Sequence, residues 1–152
     1  MLPERVIRCG TPHGGALVVP ELWRFAGLAA EDDRAPLPAG PLVVPLHWWQ
    51  AKRESLAARR DPVGVWLEPQ HDPALIADDL ARFALIAVRF PTFTDGRGYS
   101  TAVLLRARYG YTGEMRAFGD VGRDQLFYLK RCGFDSFALA PHRDPEAALA
   151  GL

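Results

Sequence analysis

Five short apolar runs recur from residue 42 onward, and their spacing constrains the fold more than any other feature of the chain. They begin near residues 42, 63, 85, 114 and 136, so that most steps are about 22 residues long. This spacing is typical of repeated βα units and not of a β-sandwich. Strands that are apolar on both faces belong to a parallel sheet covered by helices. We therefore predict an α/β fold in which five repeated βα units form a parallel sheet.

The order of strands and helices leaves two architectures open. One is an open sheet, and the other is a curled half of a (β/α)8 barrel. Five units cannot close an eight-stranded barrel, so the open or partly curled sheet is favoured. Helices are predicted for residues 47–60, from Asp72-Pro73 onward, for 99–109 and 122–132, and from Asp144-Pro145 onward. Gly133 follows the fourth of these, as expected where a helix ends in a left-handed residue.

The first 40 residues have a different character. Residues 6–8 and 16–20 are short β-type runs on either side of a loop with three glycines, a pattern that indicates a hairpin. Residues 31–40 are polar and contain two prolines, as is typical of a linker. We therefore expect two parts: an N-terminal β-hairpin appendage with its linker at 1–40, and an α/β domain at 41–152.

Composition narrows the choice of partners and location. The chain has 18 basic and 18 acidic residues, so it has no overall positive field for holding nucleic acid. Residues 89–143 nevertheless hold nine basic residues against five acidic ones. There is no apolar run of membrane-spanning length and no visible signal peptide. The two cysteines form no metal-binding pattern. We expect a cytoplasmic protein with no membrane or nucleic-acid partner.

Polar residues follow each predicted strand, and parallel topology would bring them to one edge of the sheet. Three of them, Glu68, Asp95 and Asp120, loosely resemble the carboxylates with which barrel enzymes hold a divalent cation. Asp120 has an alternative role as the N-cap of the next helix. Three carboxylates on three loops form no specific metal signature, so no metal site is assigned. The full set of other candidates at this edge is His47, Glu68, Asp95, Asp120 and Asp124.

The loop at residues 91–100 indicates an anion site. Arg97 lies between two glycines just before a predicted helix, whose first N–H groups and positive dipole end favour an anion. Arg123 occupies the corresponding place one unit later, so the two arginines could share one ligand. The predicted anion-binding residues are Arg97, Gly98, Ser100, Arg123 and Gln125. The alternative is that either arginine pairs with Asp95, Asp120 or Asp124 as a structural brace.

A long motif string connects residues 84–137 with a known family. It consists of Phe90-Pro91, Thr94 to Ser100, Leu104 to Arg106, Gly113-Glu114, Arg116-Ala117, Gly119 to Val121, Arg123 to Leu126 and Arg131 to Asp135. The segment resembles a bacterial domain family of unknown function whose members are encoded beside assimilatory sulfite reductase genes. They are often labelled probable oxidoreductases of sulfite reduction. The resemblance implies a role in sulfur assimilation, with sulfite reductase or another protein of that pathway as partner. It carries over no catalytic residues, and Gly122 stands where a larger residue is expected.

Three hypotheses for function remain open at this stage. The first is an accessory or redox-partner protein of assimilatory sulfite reduction with an anion-binding edge. The second is a barrel-like or Rossmann-like enzyme that uses a divalent cation with the edge carboxylates. The third is an interaction scaffold without a site. No flavin or nicotinamide signature is present, so no cofactor is assigned, and the oligomeric state is left open.

Overall fold

The computed structural model describes residues 2–10, 15–28, 36–92 and 94–152. Eight strands in these ranges form one sheet in the order β2-β1-β8-β7-β6-β5-β4-β3. They are β1 (Arg5–Arg8), β2 (Leu17–Pro20), β3 (Arg24–Phe25), β4 (Leu42–Pro45), β5 (Val63–Leu67), β6 (Leu85–Phe90), β7 (Glu114–Gly119) and β8 (Ser136–Ala138). The α-helices are α1 (Leu46–Ala57), α2 (Arg97–Val103), α3 (Arg123–Cys132) and α4 (Pro145–Ala148). Residues Pro73–Arg82 and Leu149–Gly151 form 3-10 helices, and Leu104–Arg108 form a π-helix.

The five strands predicted from residue 42 onward, now β4 to β8, lie side by side in chain order. Each pairs with the next in parallel. Their carboxyl ends therefore lie at one edge of the sheet. We call this edge the rim and define it as the described residues that follow these strands, namely 46–47, 68–71, 91–92, 94–96, 120–122 and 139–143.

The sheet as a whole is mixed, so the prediction of a purely parallel sheet is wrong. The cause is β1, which pairs antiparallel with β2 on one side and with β8 on the other. Five βα repeats are not confirmed either, because the connections differ from one another. Within the described residues, α1, α2 and α3 link parallel strands, whereas a 3-10 helix joins β5 to β6.

The N-terminal hairpin is likewise not confirmed as an appendage. Its first strand, β1, is bonded to β8 and so belongs to the main sheet. The strand that follows the hairpin, β3, pairs in parallel with β4 at the opposite edge of the sheet. Only residues 21–23 separate β2 from β3, so the sheet must curl enough to bring its two edges close together. The domain boundary expected at residue 40 stays a prediction, and the tip of the hairpin loop (11–14) and the first half of the linker (31–35) lie outside the described residues.

Both faces of the sheet are buried, which is why its strands consist mostly of apolar residues. The helices pack on the outer face, where Trp49, Ile86, Leu105 and Leu126 are among the fully buried residues. The inner face forms a smaller cluster of Val6, Val43, Trp66, Leu85, Ala87, Phe118 and Ala138, against which the N-terminal segment packs. The result is a mixed α/β fold whose eight-stranded sheet is curled as a half-barrel around this inner cluster.

Local signals set the ends of several helices. Asp72 accepts a hydrogen bond from the N–H of Ala74, and Asp144 accepts one from the N–H of Glu146, so both Asp-Pro pairs begin helices as predicted. The first of these is a 3-10 helix and not an α-helix. At the end of α3, Gly133 has a φ of 119°, the left-handed conformation expected from the sequence. No helix in the described ranges has the length and apolarity needed to cross a membrane.

Candidate functional site

An open cleft of about 360 Å³ lies at the rim, where the inner face of the curled sheet meets solvent. Its floor is apolar and includes Leu28 and Phe118. Its polar side chains are Arg89, Asp120 and His142, which come from β6 and from the loops after β7 and β8. The carboxyl ends of strands are where α/β proteins bind ligands, so this cleft is the first candidate site in the molecule.

Strand alternation places a charged pair beside the cleft. Side chains alternate between faces along a strand, so Arg89 lies on the same inner face as Ala87. Parallel pairing of β5 with β6 brings Glu68 next to it, and Arg89 Nη1 donates a hydrogen bond of 2.9 Å to Glu68 Oε1. Both groups are partly exposed, at 41% and 22% of their side-chain area. The arginine was not among the sequence candidates, because it lies inside a predicted strand and not after one.

His71 closes the turn that follows β5. The N–H of Glu68 donates to His71 Nδ1 at 3.0 Å, and the N–H of His71 donates back to the carbonyl of Glu68 at 3.1 Å. Burial lowers the pKa of His71, the nearby His47 lowers it further, and the carboxylate of Glu68 opposes both effects. The ring therefore stays neutral at pH 7 and carries its proton on Nε2. The sequence candidate His47 is exposed at the start of α1 and lies edge-on to Trp48.

A glycine at the end of β7 determines the path of the loop that leads to the cleft. Gly119 has a φ of 106°, and a Cβ there would lie 2.4 Å from the carbonyl oxygen of Phe90. That closeness allows the N–H of Asp120 to donate to the same carbonyl at 2.7 Å. Asp120 is thereby held at the cleft wall. It does not cap α3, whose N-cap is Gly122, so the alternative role predicted for Asp120 is wrong.

Two arginines flank the first turn of α3. The guanidinium of Arg143 lies over Gly122, since a Cβ at that glycine would be 3.5 Å from Arg143 Cζ. Arg123 is the exposed first residue of the helix, and a Cβ at Gly151 would lie 2.9 Å from its Cγ. Gln125 Oε1 accepts a hydrogen bond from the N–H of Gly122, which fixes the helix start. The sequence identified Arg123 and Gln125 but missed Arg143, which no motif connects with them.

The predicted anion-binding residues at the start of α2 do not form a site with Arg123. Arg97 forms a two-pronged pair with Asp95, at 2.7 Å from Nη2 to Oδ2 and 3.0 Å from Nε to Oδ1. These hydrogen bonds lower the pKa of Asp95, so the pair stays charged and internally neutral. Gly98 is buried, and a Cβ there would lie 2.7 Å from the ring of Phe90, which explains the glycine by packing. Ser100 is exposed on α2.

This arrangement matches the brace alternative for Arg97. Within the described ranges, no hydrogen bond or ion pair joins the start of α2 to Arg123.

The rim carboxylates do not converge on a common point. Glu68 pairs with Arg89, Asp95 pairs with Arg97, and Asp120 lies at the cleft wall. Asp124 is exposed in the first turn of α3. The described part of the chain contains no group of three or more His, Cys, Asp or Glu side chains that could hold a metal ion.

Both cysteines are buried and unpaired, and burial raises the pKa of each thiol. A raised pKa keeps a thiol protonated at neutral pH and therefore poorly nucleophilic. The geometry thus gives neither cysteine a reactive role.

Comparison with known proteins yields one family match. A family model described as "Bacterial protein of unknown function (DUF934)" matches residues 64–152, which is more than half of the chain. The matched region contains β6 to β8, α2, α3 and most of the rim. A search of curated proteins finds no match.

Proposed function

This chain belongs to the bacterial family of unknown function DUF934, and from that membership we propose that it is an accessory or redox-partner protein of assimilatory sulfite reduction. The sulfur-assimilation setting comes from the resemblance of residues 84–137, whose motifs fall within the matched region. The proposed molecular role is to bind an anionic group at the rim while a positively charged segment of the chain meets a partner. That segment, residues 89–143, holds nine basic residues against five acidic ones.

The observation that carries this role is the pair of arginines at the first turn of α3. Within the described residues, neither Arg123 nor Arg143 forms an ion pair with a carboxylate, unlike Arg89 and Arg97. The first N–H groups of a helix have no partner within it, and they add positive potential at the same place. The cleft is close to these arginines, because its lining residue His142 directly precedes Arg143 in the chain. The ligand class that fits is a small oxyanion, or a phosphate- or sulfate-bearing group.

Calorimetric titration with sulfite, sulfate and inorganic phosphate tests the anion site. The double variant Arg123→Ala with Arg143→Ala should bind at least tenfold more weakly than the wild type, since a charge-assisted contact contributes roughly 1.5–3 kcal/mol. Arg97→Ala is the matched control, because that exposed arginine at the start of α2 is already paired with Asp95. Absence of heat with all three anions, or equal losses in both variants, would contradict the proposed site.

The redox part of the proposal has a separate test. A visible spectrum of the purified protein should show flavin or haem absorption if the chain itself carries electrons. A colourless protein that still binds the reductase would restrict the role to an accessory one. The divalent-cation enzyme gains no support from the rim, where Glu68 and Asp95 are each paired with an arginine.

A further inference from the structure

We propose that the outer surface of α2 and α3 docks a protein through an acidic patch on that partner. We call this surface the α2/α3 face and define it by Tyr99, Val103, Phe127, Tyr128 and Arg131. Three of its apolar side chains are strongly exposed, at 46% for Val103, 59% for Phe127 and 58% for Tyr128. The other large exposed apolar side chains in the described ranges are Leu17, Leu22 and Leu75, and none of them is on these helices.

The two tyrosines of the face are packed against other aromatic rings. The rings of Tyr99 and Tyr128 lie 5.0 Å apart, and Tyr99 packs on the buried ring of Phe90 at 5.3 Å. Val103 follows Tyr99 by one helical turn and so lies on the same side of α2. Because Tyr99 and Tyr128 are already packed in place, binding of a partner would cost little side-chain entropy at these two residues.

The charge around these rings is positive. The guanidinium of Arg131 lies 6.0 Å from the ring centre of Phe127. On the π-helix and α3, the charged residues that point to solvent, apart from Arg123 of the anion site, are Arg108, Asp124, Lys130 and Arg131. This set gives three cations and one anion, a net charge of +2. The remaining arginines of α2 and the π-helix are compensated, Arg97 by Asp95 and Arg106 by Asp135.

This composition fits a protein surface better than it fits a small ligand. Aromatic residues and arginine are enriched at the energetic centres of protein interfaces, where they combine apolar area with hydrogen-bonding ends. The net positive charge selects a partner rich in Asp and Glu by attraction at long range. The face is on the outer, helical side of the sheet, whereas the rim cleft opens on the inner side. The docking proposal therefore rests on the partner contact that the proposed function assigns to residues 89–143 and locates it more closely, and it does not depend on the anion site.

Site-specific photocrosslinking in the bacterium that encodes the protein tests the face. A benzophenone amino acid replaces Phe127, and the control carries it at Leu75, an exposed apolar position on the 3-10 helix Pro73–Arg82. We expect a covalent adduct from position 127 and not from position 75, with the cross-linked peptide in an Asp/Glu-rich surface of the partner. Arg131→Glu should reduce the yield at least fivefold, and Arg60→Glu, at another exposed arginine, should leave it unchanged. All four positions are at the surface, and circular dichroism checks that each variant is folded.

The outcomes separate this proposal from the proposed function. An adduct with an acidic protein other than the reductase supports the face and counts against the reductase as partner. A chain that binds the reductase but gives no adduct from position 127 overturns the face alone. Adducts only with a second copy of this chain, equal yields from both positions, or an Arg131→Glu variant that cross-links normally would each overturn the docking proposal.

Discussion

At the scale of single residues, one arginine and one glycine hold the end of α3 in place. Arg106 donates hydrogen bonds to the carbonyls of Gly133, Tyr111 and Gly113, at 3.0, 2.9 and 2.7 Å. Gly133 accommodates it closely, because a Cβ at that position would lie 2.6 Å from Arg106 Cγ. The π-helix turns Arg106 inward toward these carbonyls, so the loop that precedes β7 depends on it.

Gly133→Ala should therefore destabilise the protein by more than its backbone strain alone. The left-handed conformation costs an alanine roughly 1–2 kcal/mol, and the clash with Arg106 adds to this. Gly110→Ala is the matched control, since Gly110 has a φ of 69° but no atom within 4 Å of its Cβ position. Urea denaturation measures both free energies of unfolding. Equal losses in the two variants would show that Arg106 moves aside without cost.

His71 should make stability depend on pH. Burial lowers its folded-state pKa below the value of about 6.5 expected in the unfolded chain. The unfolded state therefore binds this proton more readily, so the contribution is present above pH 6.5 and is lost as the pH falls through the lower, folded-state pKa.

We expect His71→Asn, which keeps an acceptor for the N–H of Glu68, to lose less stability than the wild type between pH 7 and pH 5. His142→Asn, at an exposed histidine, is the control. Thermal melts over that range make the comparison, and parallel curves for wild type and His71→Asn would contradict the assignment.

The limits of sequence reasoning are also clearest at single residues. Gly133 was predictable because a left-handed helix end has a local signature. Arg97 was predicted to bind an anion from the same kind of local signal, yet Asp95, two residues away, already binds it. Arg143 could not be connected with Gly122 from the sequence, since the contact depends on how the loop after β8 folds over α3.

At the scale of elements, α1 and the 3-10 helix Pro73–Arg82 are joined by a buried carboxylate. Asp79 accepts a hydrogen bond from the indole N–H of Trp49 at 2.9 Å, and Arg53 pairs with it at 2.9 Å. Both Asp79 and Trp49 are buried, so the indole N–H has no access to water as a replacement acceptor. This link fixes the only 3-10 connection between two parallel strands in the described ranges.

Asp79→Ala should cost about 1–3 kcal/mol, the usual penalty for leaving a buried donor without a partner. The neighbouring Asp78 is exposed, so Asp78→Ala should change the free energy of unfolding by less than about 0.5 kcal/mol. Chemical denaturation followed by tryptophan fluorescence reports both. If the two variants were equally stable, Trp49 would have to find another acceptor.

The strands of the parallel region were predictable because each is a continuous apolar run with a helix-length gap on either side. The two-residue β3 was not, because a strand of that length has no periodicity of its own. The 3-10 and π segments also escaped prediction, since their apolar residues follow nearly the same spacing as an α-helix.

At the scale of the whole molecule, a buried arginine joins the sheet to the N-terminal segment. Arg116 on β7 is 3% exposed, and it pairs with Glu21 and with Glu114 and donates to Ser136 Oγ. Glu21 follows β2 directly, so this cluster fastens the segment that covers the inner face. The sequence could not predict it, because Arg116 and Glu21 are 95 positions apart.

Arg116→Met should destabilise the protein by roughly 3–5 kcal/mol, since it leaves the largely buried Glu21 without a counter-charge and Glu114 with only the exposed Arg8. Arg5→Met removes a comparable pair with Glu146, but both of its members are more than half exposed, so the cost should stay below about 1 kcal/mol. Differential scanning calorimetry compares the two variants. A small loss for Arg116→Met would mean that the N-terminal segment is held by apolar contacts alone.

The central claim, that this chain serves assimilatory sulfite reduction, is tested most directly by sedimentation velocity of the chain mixed with the sulfite reductase from the same bacterium. We predict a complex at low salt that dissociates as sodium chloride is added, because the basic excess of residues 89–143 favours association and salt screens it. Two species that sediment independently at low salt, at every mixing ratio, would contradict the claim.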